Sequence, residues 1–336
     1  MSVVESVLSG DRLALSRLLT QVENNMPQGL AALDELFPHS GKAHLIGVTG
    51  APGTGKSSLV NQLALHYRKQ TGKSVAIVAV DPSSPFSGGA VLGDRVRMKD
   101  LGGDPGVFIR SMAARGSLGG LAEKTESFAQ AFDAAGYPIV IIETVGAGQG
   151  EVDIARLAHT TIVVEAPGFG DDIQAIKAGI LEIADILVIN KADLPGVEHT
   201  EKALKMMLEL GHPVEHEMIH HGQKMEIQAP TVDKSVREDF WIPPVLKTVA
   251  IEGTGIPELA EEIGRHADKL RSTGEWAGRE RLRLTVEVEN RIRESLWNDF
   301  QKHLSDETYR KVLQKVFDRG LSPWAAVKEL MNGRRR

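Results

Sequence analysis

The chain has 336 residues, of which 42% are hydrophobic and 25% charged, and its formal net charge is −6 at pH 7. This composition is typical of a globular protein and is enough for one large α/β domain with appendages. The negative balance argues against a broad basic surface, so we expect no nucleic-acid partner. Because the chain contains no cysteine, it cannot form disulfides, thiolate zinc sites or iron–sulfur clusters.

Residues 1–40 have a helical, amphipathic pattern that predicts an N-terminal helical extension. Its apolar positions are Val7, Leu8, Leu13, Leu15, Leu18 and Leu19. The N-terminus carries charged residues and no long apolar run, so we expect no signal peptide. The longest apolar stretches are of strand length, which predicts no membrane association. Together these features predict a cytoplasmic protein.

From residue 41 onwards, short apolar segments alternate with helical sequence. We predict strands at residues 44–49, 74–80, 107–109, 138–142, 160–164, 186–189 and 245–250. Strands that are apolar along nearly their whole length indicate an α/β fold with a mostly parallel, doubly wound sheet covered on both faces. The motifs described next follow these strands, at the carboxyl edge where such sheets bind ligands.

The first motif is a complete Walker A phosphate loop, G-A-P-G-T-G-K-S, between a predicted strand and a predicted helix. In such a loop the glycines let backbone N–H groups point at the phosphates, which predicts a P-loop NTPase. We expect Lys56 to reach the outer phosphates and the Ser57 hydroxyl to bind Mg²⁺. The predicted nucleotide contacts are Gly50, Ala51, Pro52, Gly53, Thr54, Gly55, Lys56, Ser57 and Ser58.

The second motif is N-K-x-D at residues 190–193, directly after a predicted strand. A carboxylate at Asp193 can accept hydrogen bonds from the N1 and N2 donors of guanine, whereas adenine would leave it unpaired. Asn190 and Lys191 are expected to brace this loop and cover the base. The two motifs in this order predict a protein that binds GTP and GDP.

Three acidic residues lie in or near loops that follow strands. Glu143 ends an apolar strand and is the best Walker B candidate, and Gly146 can donate its N–H to the terminal phosphate. Asp81 and Asp94 are candidates for the Mg²⁺ shell or for orienting water, or else they are helix caps or solvated loop acids. The predicted catalytic residues are Lys56, Asp81, Asp94 and Glu143, and the predicted metal ligands are Ser57, Asp81, Asp94 and Glu143.

Two further segments have alternative interpretations. Residues 216–220 read H-E-x-x-H, a zinc-protease pattern, but no metzincin continuation follows, so we do not predict catalytic zinc. The glycine-rich segment 166–177 is either a loop that senses the nucleotide or a turn in which Asp171 or Asp172 caps the next helix.

Residues 80–98, 143–149, 170–193 and 243–256 together resemble the MeaB/ArgK family of P-loop GTPases, and the similarity runs over about residues 40–275. The resemblance implies a fold of the SIMIBI class and slow, Mg²⁺-dependent GTP hydrolysis. It also implies association with an adenosylcobalamin-dependent acyl-CoA mutase, such as methylmalonyl-CoA mutase. There the GTPase would gate cofactor loading and protect or reactivate the mutase.

By position, the resemblance assigns Ala250, Ile251 and Glu252 to the base site, although Val249 stands where the family usually has serine. It also puts Asp171 and Lys177 in a mobile third switch. The organisation it implies is an N-terminal helical extension at 1–40, a GTP-binding domain at 41–274 and a C-terminal helical dimerisation arm at 275–336.

An apolar stripe in residues 275–336 makes a homodimer the expected assembly, because exposed apolar patches usually mark an interface. The alternative is that this arm folds back on the N-terminal helices.

Two other functions also stay open: a metallochaperone GTPase and a kinase acting in amino-acid transport. The metallochaperone would use as ligands His212, His216, His220 and His221. The absence of cysteine argues against it, and the absence of D-x-H-x-x-G argues that the chain is a partner of a mutase rather than the mutase.

Overall fold

The computed structural model describes residues 1–82, 98–114, 120–144, 150–168, 182–211, 219–220, 223–224 and 241–333. The chain forms two compact units, Met1–Leu282 and Arg283–Arg336. The long helix that begins at Glu275 contains the boundary between them. The division into extension, GTP-binding domain and dimerisation arm remains a prediction about function.

The described elements alternate between helix and strand as the apolar pattern predicts. In chain order they are α1 (Val3–Leu8), α2 (Arg12–Glu23), α3 (Pro27–Leu36), β1 (His44–Thr49), α4 (Lys56–His66), β2 (Val75–Pro82), β3 (Val107–Ala114), α5 (Gly120–Ala134), β4 (Ile139–Glu143), α6 (Gly150–Leu157), β5 (Thr160–Glu165), β6 (Ile186–Asn190), α7 (Val197–Gly211), β7 (Ile219–His220), β8 (Gln223–Lys224), β9 (Val245–Thr248), α8 (Ile256–Thr273), α9 (Glu275–His303), α10 (Asp306–Phe317) and α11 (Pro323–Gly333). The seven predicted strands are confirmed, with β3 longer and β9 shorter than predicted. Strand β9 stops early because the chain turns, with Glu252 N–H donating to the Val249 carbonyl over 2.9 Å.

Seven of these strands form one sheet in the order β3-β2-β4-β1-β5-β6-β9. Every neighbouring pair in it is parallel, which confirms the predicted α/β class. Parallel strands of this kind end at a common edge, and the crevice outside that edge is where ligands bind. Strand β1, which leads into the Walker A loop, lies between β4 and β5. The sheet order therefore brings Glu143 and the phosphate loop to neighbouring strand ends.

Both faces of the sheet are covered, which explains why the strands are apolar on both sides. On one face α2 and α5 contribute Leu18 and Phe128 to the same buried core as Val78 of β2. On the other face α4 and α8 contribute Leu59 and Ile263. The N-terminal helices are therefore part of the core of the first unit.

The pattern of α2 shows which of its apolar positions face that core. The buried positions are Leu15, Leu18, Leu19 and Val22, which recur at helical spacing. Leu13 lies off this stripe and is 59% exposed, and Leu8 of α1 is 38% exposed. The expectation that these two leucines share the apolar face is therefore wrong.

A buried polar network occupies the amino ends of the strands, opposite the ligand edge. Thr160 Oγ1 lies 2.7 Å from His44 Nε2 and 2.9 Å from His266 Nδ1. His266 Nε2 is 3.3 Å from the Asp185 carboxylate, to which Arg279 donates two hydrogen bonds of 2.8 Å. Burial raises the pKa of Asp185, but the nearby His266 ring and the hydrogen bonds from Arg279 outweigh it and bring that pKa to about 2.

The same network ties the start of α9 to the first unit. Trp276 stacks on the His159 ring with centroids 3.8 Å apart, and the Arg271 guanidinium lies over the Trp276 ring. Burial, with His159 and Arg271 close by, holds the pKa of His44 well below its ordinary value. Arg279 of α9 is the arginine partner of the buried Asp185 carboxylate, and removing such a partner lowers the free energy of unfolding by roughly 3–5 kcal/mol. The first turns of α9 therefore belong with the first unit, which ends at Leu282.

The second unit has a small core of its own. Its buried residues are Phe300, Val312, Ala326 and Leu330, from α9, α10 and α11. Other members of the predicted apolar stripe are exposed. Val288, Ile292 and Leu296 of α9 are 56%, 53% and 61% exposed. Because they recur every four residues, they lie along one side of the helix.

Candidate functional site

The Walker A loop connects β1 to α4 and approaches two other strands very closely. Gly50 and Gly55 have φ angles of 138° and 90°, in the region that favours glycine. A side chain at Gly50 would overlap the Val164 carbonyl of β5, and one at Gly55 would overlap the Asn190 side-chain amide. Glycine is therefore required at both positions for the loop to fit against β5 and β6.

The Lys56 side chain folds into this loop. Its ammonium donates to the carbonyls of Gly50 and Ala51, over 2.8 and 3.0 Å. Thr54 Oγ1 also donates to the Ala51 carbonyl, over 2.9 Å. Lys56 is only 6% exposed, so its charge lies inside the loop. Gly55, the residue before α4, has no side chain to cap the helix, which leaves the amino end of α4 suited to an anion.

Ser57 and Glu143 meet at the carboxyl edge of the sheet. Ser57 Oγ donates to Glu143 Oε1 over 2.6 Å, and both side chains are buried. Their meeting results from the pairing of β1 with β4, in which Val48 is opposite Glu143. A hydroxyl and a carboxylate are oxygen ligands of the kind that Mg²⁺ prefers. These two residues therefore fit the magnesium site predicted from the sequence.

The remaining predicted acids are less fully described. Ala79 of β2 pairs with Glu143, and Asp81 follows two residues later in the same strand. The backbone of β2 therefore brings Asp81 to the same edge of the sheet as Glu143. Outside the described residues lie Asp94, Gly146, Asp171 and Lys177.

Asn190 links the phosphate loop to the loops expected to bind the base. Its amide donates to the Thr54 carbonyl over 2.8 Å. Its side-chain oxygen accepts from Thr248 Oγ1 and from the Ala250 N–H, both over 3.0 Å. Asn190 is 2% exposed, so these contacts are shielded from water. The bracing that the sequence predicts for Asn190 is seen directly, and Thr248 is a member of this network that the motifs did not reveal.

The rest of the N-K-x-D loop faces outward. Lys191 has a φ of 57°, and the next residue, Ala192, donates its N–H to the Thr248 carbonyl over 3.0 Å. The Asp193 side chain is exposed, as are those of Ile251 and Glu252 in the turn after β9. Asp193 is therefore accessible to a ligand at this edge, on a loop that is anchored to β9.

The histidine-rich segment contributes little to the described structure. His212, His216 and His221 lie outside it, and His220 is described only as part of the backbone of β7. Within the described ranges, no group of three or more His, Cys, Asp or Glu side chains is arranged to hold a metal ion. In the same ranges, no helix has the length and apolar character needed to cross a membrane. The expected cytoplasmic location stays a prediction.

A phosphate loop joined through Asn190 to an N-K-x-D loop, on a parallel sheet, places the chain in the class of P-loop GTP-binding proteins. Comparison with known proteins is more specific. The model of the family described as methylmalonyl Co-A mutase-associated GTPase MeaB matches residues 15–305, and the chain belongs to this family.

Individual relatives agree over nearly the whole length. A putative GTPase of Pyrococcus abyssi is 39% identical over 335 residues, covering 98% of this chain and 97% of the relative. GTPase ArgK of Escherichia coli is 33% identical, with 97% and 94% covered. A crystal structure of a LAO/AO transport system kinase is 26% identical, with a TM-score of 0.67 and coverage of 99% and 97%. Since the family and these two sequence relatives are named as GTPases, the chain is a GTPase.

Proposed function

We propose that this GTPase associates with an adenosylcobalamin-dependent acyl-CoA mutase, such as methylmalonyl-CoA mutase, and that its nucleotide state gates loading of the mutase cofactor. The observation that carries the proposal is the match to a family described as methylmalonyl Co-A mutase-associated, over residues 15–305. Protection or reactivation of the mutase would follow if loading were allowed only in one nucleotide state. In this proposal the GTP-bound state lasts until the protein hydrolyses GTP to GDP, so hydrolysis limits how long that state persists.

The phosphate loop is the proposed site for the outer phosphates of GTP. Lys56 would exchange its bonds to the Gly50 and Ala51 carbonyls for bonds to the phosphates, which carry full negative charge. Ser57 and Glu143 would hold Mg²⁺, together with Asp81 or Asp94. When bound, Mg²⁺ supplies positive charge beside the phosphate oxygens, where negative charge develops during hydrolysis.

Recognition of guanine is assigned to the loops braced by Asn190. Asp193 would accept from the N1 and N2 donors of the base, while the Lys191 side chain covers it. The Ala250 N–H already donates to Asn190, so the turn at residues 250–252 and the N-K-x-D loop are held together. The acid that is not bound to Mg²⁺, Asp81 or Asp94, would orient the attacking water, and Gly146 N–H would contact the terminal phosphate.

The direct test is capture of a purified acyl-CoA mutase by this chain in defined nucleotide states. We expect a complex with methylmalonyl-CoA mutase whose affinity differs between a non-hydrolysable GTP analogue and GDP by about tenfold, a typical coupling of 1–3 kcal/mol. Isothermal titration with each nucleotide present gives both affinities. The same titration with Lys69→Ala, an exposed lysine after α4, should match the unmodified chain.

Failure to bind an acyl-CoA mutase in either nucleotide state would refute the mutase proposal, although the GTPase assignment would stand. Transfer of the γ-phosphate from GTP to the mutase or a small molecule, instead of to water, would favour the kinase alternative. Stoichiometric binding of Ni²⁺ or Zn²⁺ that is lost when His216 and His220 are replaced by alanine would favour the metallochaperone alternative.

We also propose that the chain forms a homodimer through the second unit. The exposed stripe of Val288, Ile292 and Leu296 on α9 supports this, because apolar patches of this kind are usually covered by a partner. A symmetric dimer is the commonest solution for such a surface. The stripe lies beyond Leu282, so it is separate from the first turns of α9 that pack on Asp185.

A full-length chain carrying Ile292→Asp and Leu296→Asp should be monomeric by light scattering, while the unmodified chain is dimeric. Each aspartate would place a charge inside the apolar contact, where an unpaired charge is strongly unfavourable. Arg293→Asp, an exposed change on the same helix, should leave the dimer intact. A shortened chain should end after Leu282 and not at residue 275, because the earlier cut would remove Arg279. A monomeric unmodified chain would show that the stripe has another role.

A further inference from the structure

Two buried threonines lie where β1 and β4 end. Thr49 is the last residue of β1 and immediately precedes Gly50 of the phosphate loop. Thr144 immediately follows Glu143, the last residue of β4. Thr144 Oγ1 donates to Thr49 Oγ1 over 2.9 Å, and the two residues are 6% and 0% exposed. A side-chain hydrogen bond therefore adds to the backbone pairing between the strand before the phosphate loop and the strand that carries Glu143.

The backbone contact beside it strengthens this connection. The Thr144 N–H donates to the Val48 carbonyl over 3.1 Å, so pairing with β1 continues one residue beyond the end of β4. Glu143 itself is opposite Val48 in β1, and its carboxylate accepts from Ser57. The backbone of Glu143 is therefore held by its pairing with Val48, and the residue after it is held by the contacts of Thr144.

The chemistry of the pair indicates that stability alone does not explain it. A buried hydroxyl costs free energy unless it is hydrogen-bonded, and here Thr49 accepts the hydrogen bond that Thr144 donates. Replacing both partners of such a bond by apolar groups of the same shape is often neutral or stabilising. Two valines at these positions would fill the same space. The two valines would lack the hydrogen bond between the hydroxyls, and this bond sets the direction in which the chain leaves β4 relative to the phosphate loop.

We propose that Thr144, acting through Thr49, is a positioning residue for GTP hydrolysis that holds the Glu143 carboxylate against Ser57. The proposal rests on the magnesium role proposed above for Ser57 and Glu143. The Thr144 side chain is bonded to Thr49 and does not need to touch the nucleotide. Its effect reaches the site because Thr144 and Thr49 are the sequence neighbours of Glu143 and Gly50.

The test is the full chain with Thr49→Val and Thr144→Val together, compared with Thr144→Ser and the unmodified chain. In the double variant we expect kcat for GTP hydrolysis to fall about tenfold, the effect of one hydrogen bond, with KM within about twofold. Binding of a non-hydrolysable GTP analogue should need about tenfold more Mg²⁺ for half-maximal affinity. The urea midpoint of unfolding should be unchanged. Thr144→Ser, which keeps the hydroxyl, should hydrolyse GTP at the unmodified rate.

Thr161→Val is the matched control. Thr161 is a buried threonine of β5 whose hydroxyl makes no hydrogen bond among the described residues, so its loss should change neither hydrolysis nor Mg²⁺ dependence. A double valine variant with normal kcat and normal Mg²⁺ dependence would overturn the proposal. The proposal would also be overturned if kcat of the double variant fell together with its urea midpoint of unfolding and Thr144→Ser were impaired as well.

A separate measurement distinguishes failure of this inference from failure of the site itself. Glu143→Gln should lower both kcat and Mg²⁺-dependent affinity if Glu143 has the proposed magnesium role. Normal behaviour of Glu143→Gln would refute that role and the inference that rests on it. Impaired Glu143→Gln with a fully active double valine variant would refute only the positioning role of Thr144.

Discussion

Lys56→Ala should abolish tight binding of GTP and GDP by a chain that remains folded. The ammonium of Lys56 lies within the phosphate loop, 2.8 Å from the Gly50 carbonyl. Hydrogen bonds to charged groups are worth roughly 1.5–3 kcal/mol each, and in the proposed site this lysine makes one to each outer phosphate. We therefore expect the affinity for GTP to fall by at least about a hundredfold, which corresponds to about 2.7 kcal/mol.

Binding is best measured by titration with a fluorescent guanine nucleotide, and folding by circular dichroism and the urea midpoint. The fold check is needed because Lys56 also satisfies the Gly50 and Ala51 carbonyls within the loop. Lys69→Ala removes an equal charge from an exposed position shortly after α4, and its nucleotide affinity should be unchanged. Unmodified GTP affinity in folded Lys56→Ala would contradict the phosphate-loop assignment.

Asp193→Asn should weaken GTP binding and shift the preference of the site toward xanthosine triphosphate. Xanthine carries an oxygen where guanine carries its 2-amino group, so an amide donor can replace the carboxylate acceptor. Loss of the charge-assisted pair should cost about 1.5–3 kcal/mol, or roughly 10- to 150-fold in affinity for GTP. Asp193 is exposed at the carboxyl edge, so the substitution should not disturb the core.

Competition between GTP, xanthosine triphosphate and ATP for a fluorescent nucleotide measures this change in preference. Glu198→Gln, which neutralises an exposed acid in the first turn of α7, should leave all three affinities as they are. If the affinity for GTP and the affinity for ATP are both the same in Asp193→Asn as in the unmodified chain, another residue reads the base. A loss of GTP affinity without any gain for xanthosine triphosphate would point to a structural role for Asp193.

Several parts of the site are determined by contiguous sequence. The eight residues of the phosphate loop carry their own conformational requirements, including the positive φ angles of Gly50 and Gly55. The strands are apolar because both faces of the sheet are covered, so their positions could be predicted from runs of Val and Ile. The N-K-x-D motif likewise predicts guanine recognition from four residues. Local sequence was sufficient for these predictions because each motif lies within a short, contiguous stretch of the chain.

The boundaries of these elements were less predictable. Apolar character alone predicts that β9 continues through Val249 and Ala250. The strand ends before them because these two residues begin a turn, which the hydrogen bond from the Glu252 N–H to the Val249 carbonyl closes. Likewise, Leu13 looks like a core residue by type but lies off the stripe that α2 presents to the sheet. In both cases the backbone hydrogen bonds and the helix orientation decided the outcome, and neither is specified by residue type.

Contacts between distant segments were decided only by the tertiary structure. The Asn190 amide reaches the Thr54 carbonyl across 136 residues of sequence, and Thr144 reaches Thr49 across 95. The first contact exists because only β5 separates β1 from β6 in the sheet, and the second because β4 lies beside β1. The order of strands in a sheet is set by how helices pack on its faces, which no single motif encodes. The sequence by itself thus predicted the phosphate and base chemistry, whereas the sheet order decided which side chains lie beside those motifs.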